Sequence, residues 1–540
     1  MASSRNTGPF MFAKTTFQQS RLSLWITTGL VIFVLALLAD QVAGQSETRS
    51  YDVDPIAEEY IAPDVPDEAG STSEERAKIR ALKKQKANVD RLLKASEKKA
   101  ENGLQGKETL DQAAVQTFMD SYVFPKMTQT DNDTLANLGM QRAEFVSTYL
   151  SAKVTGANRN FIIETIILPK VETISQGNYH PAVRLNAVLL AGLINGVEPD
   201  RSTFPQVSGS ALSFLLETMN SPESPEFLKV GAMTGLHRNA LFDGLQPVSR
   251  MEAAQKSRIE QVAVDIIGNK VSGQEDWKPE VNYWLRRRAI QTLGYLKNPA
   301  RTKDLIAIVG DSNEKTWVRL DATTALKGRQ LAPADADSAV VAITTFTAEQ
   351  MSSDATGVVD ALSELVAINL LYGDVNLLGN VGGGRFNDGM GGRQLGNVAG
   401  VELANYQLNQ IRRKAKAIGT TVNEVLEEIS QPATGEKKTI AISAQRTLNE
   451  MMTNIDEGLV DLADQAQDNE FGGGDGGFIE NSGGDEPTEA IADKLAATLR
   501  ETAQVLNKLV GGKQAPGNPQ KGDAPADQPT EPVDPDNLFG

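Results

Sequence analysis

The sequence predicts an all-α fold, and three observations carry that prediction. Between about residues 110 and 372, helix-length apolar segments alternate with short breaks at Gly, Pro, Asn and Asp, and no run alternates apolar with polar residues as a half-buried strand would. Within that region one pattern recurs: an apolar residue, a basic one, two further positions, then alanine. It stands as Val183-Arg184 with Ala187, Leu228-Lys229 with Ala232, Leu285-Arg286 with Ala289, and Val318-Arg319 with Ala322. Six positions before each basic residue is a polar one able to accept a hydrogen bond, namely Asn178, Glu223, Glu280 and Asn313. The basic residues are 45, 57 and 33 positions apart, uneven but within reach of helix-pair repeats that carry loop insertions.

The 540 residues suffice for about three domain-sized units and a sizeable core. Hydrophobic residues at 40% and charged residues at 23% exclude both a polytopic membrane protein and a wholly disordered chain. A net charge of −17 repels phosphate backbones, so no nucleic-acid partner is expected. Cysteine is absent, which removes disulfides, zinc–thiolate sites, iron–sulfur clusters and thiol nucleophiles, and only His180 and His237 offer an imidazole.

Residues 1–44 read as a signal. Arg5, Lys14 and Arg21 precede an uncharged run over 22–39, and Val42 and Gly44 place small residues where a peptidase would cut. The run is also just long enough to span a bilayer, so a cleaved signal peptide and an uncleaved anchor both fit. Either one exports the protein, to a periplasmic, cell-envelope or secreted location, and membrane contact is expected only through 22–39 if they are retained. Residues 45–70 are acidic, carry Pro55, Pro63 and Pro66, and are expected to form a disordered linker. Over 71–103, Ser71 and Glu74 form a capping-box pattern ahead of a charged helix. Its Ile79, Leu82, Val89 and Leu93 suit either a solvated helix lying on the next domain or a short coiled coil.

The next region, 108–372, holds the recurring pattern. A segment such as 182–191 is apolar on nearly every side, which a helix tolerates only when neighbours cover several of its faces, as stacked repeats do. Pro181 and Pro225 fall at helix starts, where a missing N–H costs nothing. On these residues the chain resembles the HEAT-repeat α-solenoid family, in particular exported HEAT-repeat proteins of bacterial type. The resemblance implies about five or six antiparallel helix pairs, with Arg184, Lys229, Arg286 and Arg319 forming a ladder with polar residues between neighbouring repeats. Lys229 in place of Arg and the uneven spacing depart from the family pattern.

Glycine then concentrates in a loop over 373–400 and a linker over 470–487. Between them 401–469 reads as a helical extension, either a partly exposed cap or a small bundle. Over 488–510, Ile491, Leu495, Leu499, Thr502, Leu506 and Leu509 form one stripe of an amphipathic helix, and the proline-rich 511–540 reads as a disordered tail.

No catalytic set emerges. The glycines at 382–384 and 389–392 lack the lysine and hydroxyl of a phosphate loop, and those at 472–477 lack the acidic ligands for calcium. Ser96 with Lys99 and Ser312 with Lys315 match an S-x-x-K spacing without its partner motifs. His180 and His237 have no metal-ligand spacing and are expected to cap helices or lie exposed. No catalytic residue, cofactor or metal is therefore expected. The function implied is a non-enzymatic scaffold or adaptor that binds another protein, with an anchored cell-envelope spacer and an unrecognised hydrolase as rivals. Trp284 and Trp317 share one slot, two residues before Arg286 and Arg319. With Arg287 and Arg288 they form a candidate partner-binding face, the alternative being rings packed between helices.

Overall fold

The computed structural model describes residues 50–66, 72–154, 156–199, 204–246, 249–373, 393–457 and 488–511. The signal or anchor segment, the centres of both glycine-rich stretches and the C-terminal tail lie outside these residues. Among the described residues the chain is mostly helical, and no helix there is long and apolar enough to cross a membrane. It divides into two compact units, Met1–Asn298 and Pro299–Gly540.

The first unit opens with a departure from the sequence expectation. Residues 50–66, expected as disordered linker, form an ordered strap because its acidic and aromatic groups meet specific partners. Asp54 accepts from the Tyr179 hydroxyl at 2.6 Å and pairs with Lys170 at 2.7 Å. The Asp52 N–H donates to the Asn178 carbonyl at 2.9 Å, and Tyr60 packs against Phe118 and Tyr122. Helix α1, Ser73–Leu104, follows. Its capping box is Thr72 with Glu75, one residue later than Ser71 with Glu74, with reciprocal bonds of 3.0 and 3.1 Å. The helix buries Val89, Ala100, Gly103 and Leu104, so it is anchored toward its C-terminal end and its first half is solvated.

Helices then follow in pairs. The helical run α2 covers 112–128 and packs against α3, Asn132–Tyr149; α4 covers 156–176 and packs against α5, Pro181–Leu193. Helix α6, Gly209–Asn220, packs against α7, Glu226–Gly244, and α8, Ala253–Ile267, against α9, Pro279–Leu296. Successive second helices also touch, α3 on α5, α5 on α7 and α7 on α9, as do the first helices α4, α6 and α8. Where α5 meets α7 there is no room for side chains: a Cβ on Gly235 would stand 2.8 Å from the Gly192 Cα and 2.7 Å from the Leu215 Cδ1. A short antiparallel pair, β1 (Asn195–Val197) with β2 (Gln206–Val207), interrupts the helices.

Both α2 and α4 contain a π turn, Met119–Val123 and Ile162–Ile167, and each turn is followed by a proline, Pro125 or Pro169. Proline has no N–H for the carbonyl four residues back, and the widened turn makes room for its ring. In α2 the carbonyl thus released belongs to Ser121, and the strap's Ala57 N–H donates to it at 3.0 Å. The two turns are also a sequence repeat: Asp120-Ser121 precedes Pro125-Lys126 as Glu164-Thr165 precedes Pro169-Lys170.

The second unit begins with one more short pair, α10 (Thr302–Gly310) and α11 (Thr316–Ala325). It continues in long helices: α12 is Pro333–Gly373, α13 Arg393–Ile429, α14 Gly435–Glu457 and α15 Thr488–Leu509. These four pack on one another as a bundle. The end of the region expected to hold helix pairs, up to residue 372, is instead one continuous helix, because nothing between Pro333 and Gly373 breaks it. The loop expected over 373–400 is already helical from Arg393. In α15, Leu495, Leu499, Thr502 and Leu506 are buried as the stripe predicts, and the Thr502 hydroxyl is satisfied by the Thr498 carbonyl at 2.8 Å.

Candidate functional site

The recurring cations all do the same work. Arg184 Nε donates to the Ser175 carbonyl at 2.8 Å, Arg286 Nη1 to the Ile267 carbonyl at 2.6 Å, and Arg319 Nε to the Val309 carbonyl at 2.8 Å. Lys229 Nζ donates to the Met219 and Ser221 carbonyls at 3.0 and 2.9 Å. Each acceptor belongs to the last turn of the preceding helix or lies just beyond it, where carbonyls lack helical partners and carry the negative end of the helix dipole. On the other side, Arg184 lies 5.6 Å from the Phe227 ring centroid, Lys229 5.9 Å from Trp277 and Arg319 4.6 Å from Phe346. Each of the four cations thus caps the end of the preceding helix, and three of them, Arg184, Lys229 and Arg319, also lie over an aromatic ring further along the chain. The residues before them, Val183, Leu228, Leu285 and Val318, are buried, as are Ala187, Ala232, Ala289 and Ala322.

The polar half of the expected ladder lies elsewhere. Asn178, Glu223 and Asn313 are exposed on the turns between helices, and Glu280 is exposed in the first turn of α9. Asn178 Nδ2 donates to the strap's Ser50 carbonyl at 3.1 Å, and Asn313 bonds to Asp311 within its own turn. Two acidic side chains near the recurring cations do bridge elements: Glu226 accepts from the Lys278 N–H at 3.0 Å, and Glu349 pairs with Arg319 at 2.8 Å. Arg159 is the largest omission of the sequence pattern. Buried, it donates to the Leu150 and Ser151 carbonyls at the end of α3, to the Asn195 carbonyl and to Glu198. Its signal was a lone arginine near a helix start, without the apolar–basic–alanine frame.

Trp284 and Trp317 lie in different units. Trp284 is half-buried and Arg288 stacks on it at 5.2 Å, while Arg287 stacks on Tyr283 at 5.8 Å, two i,i+4 pairs along α9. Arg288 also reaches Gln291 at 2.9 Å and His237 at 3.3 Å, so it faces the interior of its unit. Trp317 is 37% exposed. His180 caps α5, its Nδ1 accepting from the Ala182 N–H at 3.2 Å. His237 neither caps nor lies exposed: it sits between Arg288 and Thr292, where burial and the arginine's charge push its pKa down to about 3. Among the described residues no group of three acidic or imidazole side chains is placed to hold a metal.

One feature of the first unit has no counterpart in the sequence pattern. A cleft of about 210 Å³ opens between α1, α2 and α3. Phe118, Tyr122 and Tyr149 contribute aromatic wall, and Glu97, Gln141 and Glu144 contribute acceptors. Burial raises the Glu97 carboxyl pKa, and the charges of Glu144 and Glu101 raise it further, against an opposing effect of Lys126. Burial raises the Tyr149 hydroxyl as well. These residues come from three helices spread over 90–149, so no local motif announces them.

No protein-family model, no curated protein and no solved structure matches the chain.

Proposed function

We propose that this protein is an exported, non-enzymatic scaffold whose paired helices form a HEAT-like α-solenoid and present a surface to another protein. The observation that carries this reading is the shared geometry of Arg184, Lys229, Arg286 and Arg319. A cation repeatedly placed on the carbonyls that end the preceding helix is what a ladder joining stacked units requires, and stacked helix pairs create extended binding surfaces. The paired helices of the first unit form the stack in this reading. The exposed Trp317 ring is the best-placed element of the proposed partner face, with Trp284, Arg287 and Arg288 supporting the fold of α9. Residues 22–39 direct export, and their retention would make the protein an anchored spacer.

Two measurements test this. The N-terminus of the exported protein should be Gln45; Met1 would favour the anchored spacer. Crosslinking in the exported fraction should yield one partner whose capture falls about tenfold in Trp317→Ala, about 1.4 kcal/mol, with an unchanged melting temperature. Capture indifferent to Trp317→Ala would remove this face from the proposal.

A further inference from the structure

The cleft between α1, α2 and α3 is lined by groups that the packing of the unit leaves unused. Gln141 Oε1 is buried with no hydrogen-bond partner, a costly condition for an amide oxygen. Glu97, about half-buried, has no hydrogen bond or ion pair among the described residues, and the Tyr122 and Tyr149 hydroxyls have no hydrogen-bond partner there either. Glu144 stands nearby, and its charge and that of Glu101 act against ionisation of Glu97. The wall behind them is aromatic, Phe118 and Tyr122 being stacked with their centroids 5.7 Å apart.

Every unused group here either accepts hydrogen bonds or attracts positive charge. Carboxylates and an amide oxygen call for N–H donors, and aromatic faces attract cations. Asp90, Glu97 and Glu144 line the cleft against Lys94 and Lys126, so the protein's own cations leave the acidic groups in excess. Lys126 already shows what fits: its ammonium lies 5.9 Å from the Tyr122 centroid. The volume is below the ~300 Å³ of sites for drug-sized molecules, which limits the occupant to one side chain or an equally small molecule.

We propose that this cleft binds a single guanidinium or primary ammonium group on a short apolar stem. Glu97 and Glu144 serve as its counter-ions, Tyr122 as its aromatic wall and Gln141 Oε1 as the acceptor of one N–H. The cation comes as a basic side chain of a bound peptide or as a free small amine. The site is independent of the scaffold reading and of the Trp317 face, so either can fail alone.

The test is calorimetric titration of the full chain with butylguanidine, butylamine, butyrate and a blocked tripeptide with a central arginine. The two cations should bind with a dissociation constant of about 1 mM or tighter, and butyrate should not bind. Glu97→Gln and the more exposed Glu144→Gln should each weaken cation binding by about fivefold or more. Lys126→Met, which removes the competing internal charge, should strengthen it. A tripeptide that binds more tightly than butylguanidine identifies a peptide side chain as the source, and equal affinity identifies a free amine. Absence of cation binding to both wild type and Lys126→Met would overturn the proposal. So would binding unchanged in Glu144→Gln, a variant whose melting temperature should match wild type.

Discussion

The two units solve the same problem, holding helices side by side, by different means. The first is built mostly of helices under twenty residues, so it has many ends, and each end exposes carbonyls without helical partners. Four of its cations, Arg159 and Lys229 buried and Arg184 and Arg286 half-buried, are devoted to those ends: Arg159 to α3, Arg184 to α4, Lys229 to α6 and Arg286 to α8. Four helices of the second unit run 41, 37, 23 and 22 residues. They have few ends for their length and pack through stripes of Ala, Ile, Val and Leu. Short helices need capping chemistry; long ones need an unbroken apolar face.

The contrast is sharpest at glycine. Gly235 in α7 lies against the α5 backbone, whereas a Cβ on Gly357 in α12 would find only the Ile411 Cδ1 at 3.6 Å, an ordinary contact. Gly235→Val should therefore cost about 3 kcal/mol by overpacking. Gly357→Ala should raise stability by up to ~1 kcal/mol through helix propensity. Chemical denaturation of each variant, followed by unit-resolved hydrogen exchange, checks both signs.

Next in size are the capping cations. Lys229→Met should cost about 2 kcal/mol, since it removes a charged donor from the Met219 and Ser221 carbonyls. Along α9, Arg286→Ala should cost about 1–2 kcal/mol, and Arg287→Ala, which removes a partly exposed stack on Tyr283, about 0.5 kcal/mol. Equal losses at 286 and 287 would break the assigned register.

The smallest effect is one of pH, and its sign differs between units. Burial alone would raise the Asp243 pKa. Lys256 at 2.8 Å, the Ser249 hydroxyl and the Arg250 and Met251 N–H groups outweigh burial and hold it below its ordinary value. Stability from Asp243 is thus present above the unfolded pKa of about 3.9 and is lost as pH falls through the depressed folded value. Asp354 in the second unit is raised by burial despite Lys414 at 2.7 Å and Gln350, with its Oδ2 unpartnered. Its ionisation opposes folding, and that opposition is relieved as pH falls through the raised value. Acid titration should therefore loosen the first unit more than the second, and Asp243→Asn should flatten the first unit's response.

Much of this was legible in the sequence. The apolar–cation–alanine frame identified buried positions at 183, 187, 228, 232, 285, 289, 318 and 322, and Leu495, Leu499, Thr502 and Leu506 of the α15 stripe are buried as its spacing requires. The cations' acceptors were not legible, because a helix-end carbonyl carries no residue identity; the frame pointed to exposed turn residues instead. The strap was hidden because acidic, proline-containing composition predicts disorder unless the partners of Asp54 and Tyr60 are known. The π turns were hidden by their prolines, which read as breaks although the helix continues past them. The cleft escaped because its acceptors lie on three helices and only folding brings them together.

The central claim, that each recurring cation seats its own helix on the carbonyl end of the preceding helix, is tested most directly by native-state hydrogen exchange on full-length Lys229→Met. Protection should fall in the last turn of α6, in the facing turn of α7 and around Trp277, while α12 to α15 keep wild-type protection. A uniform loss across both units, or no change at the end of α6, would contradict it.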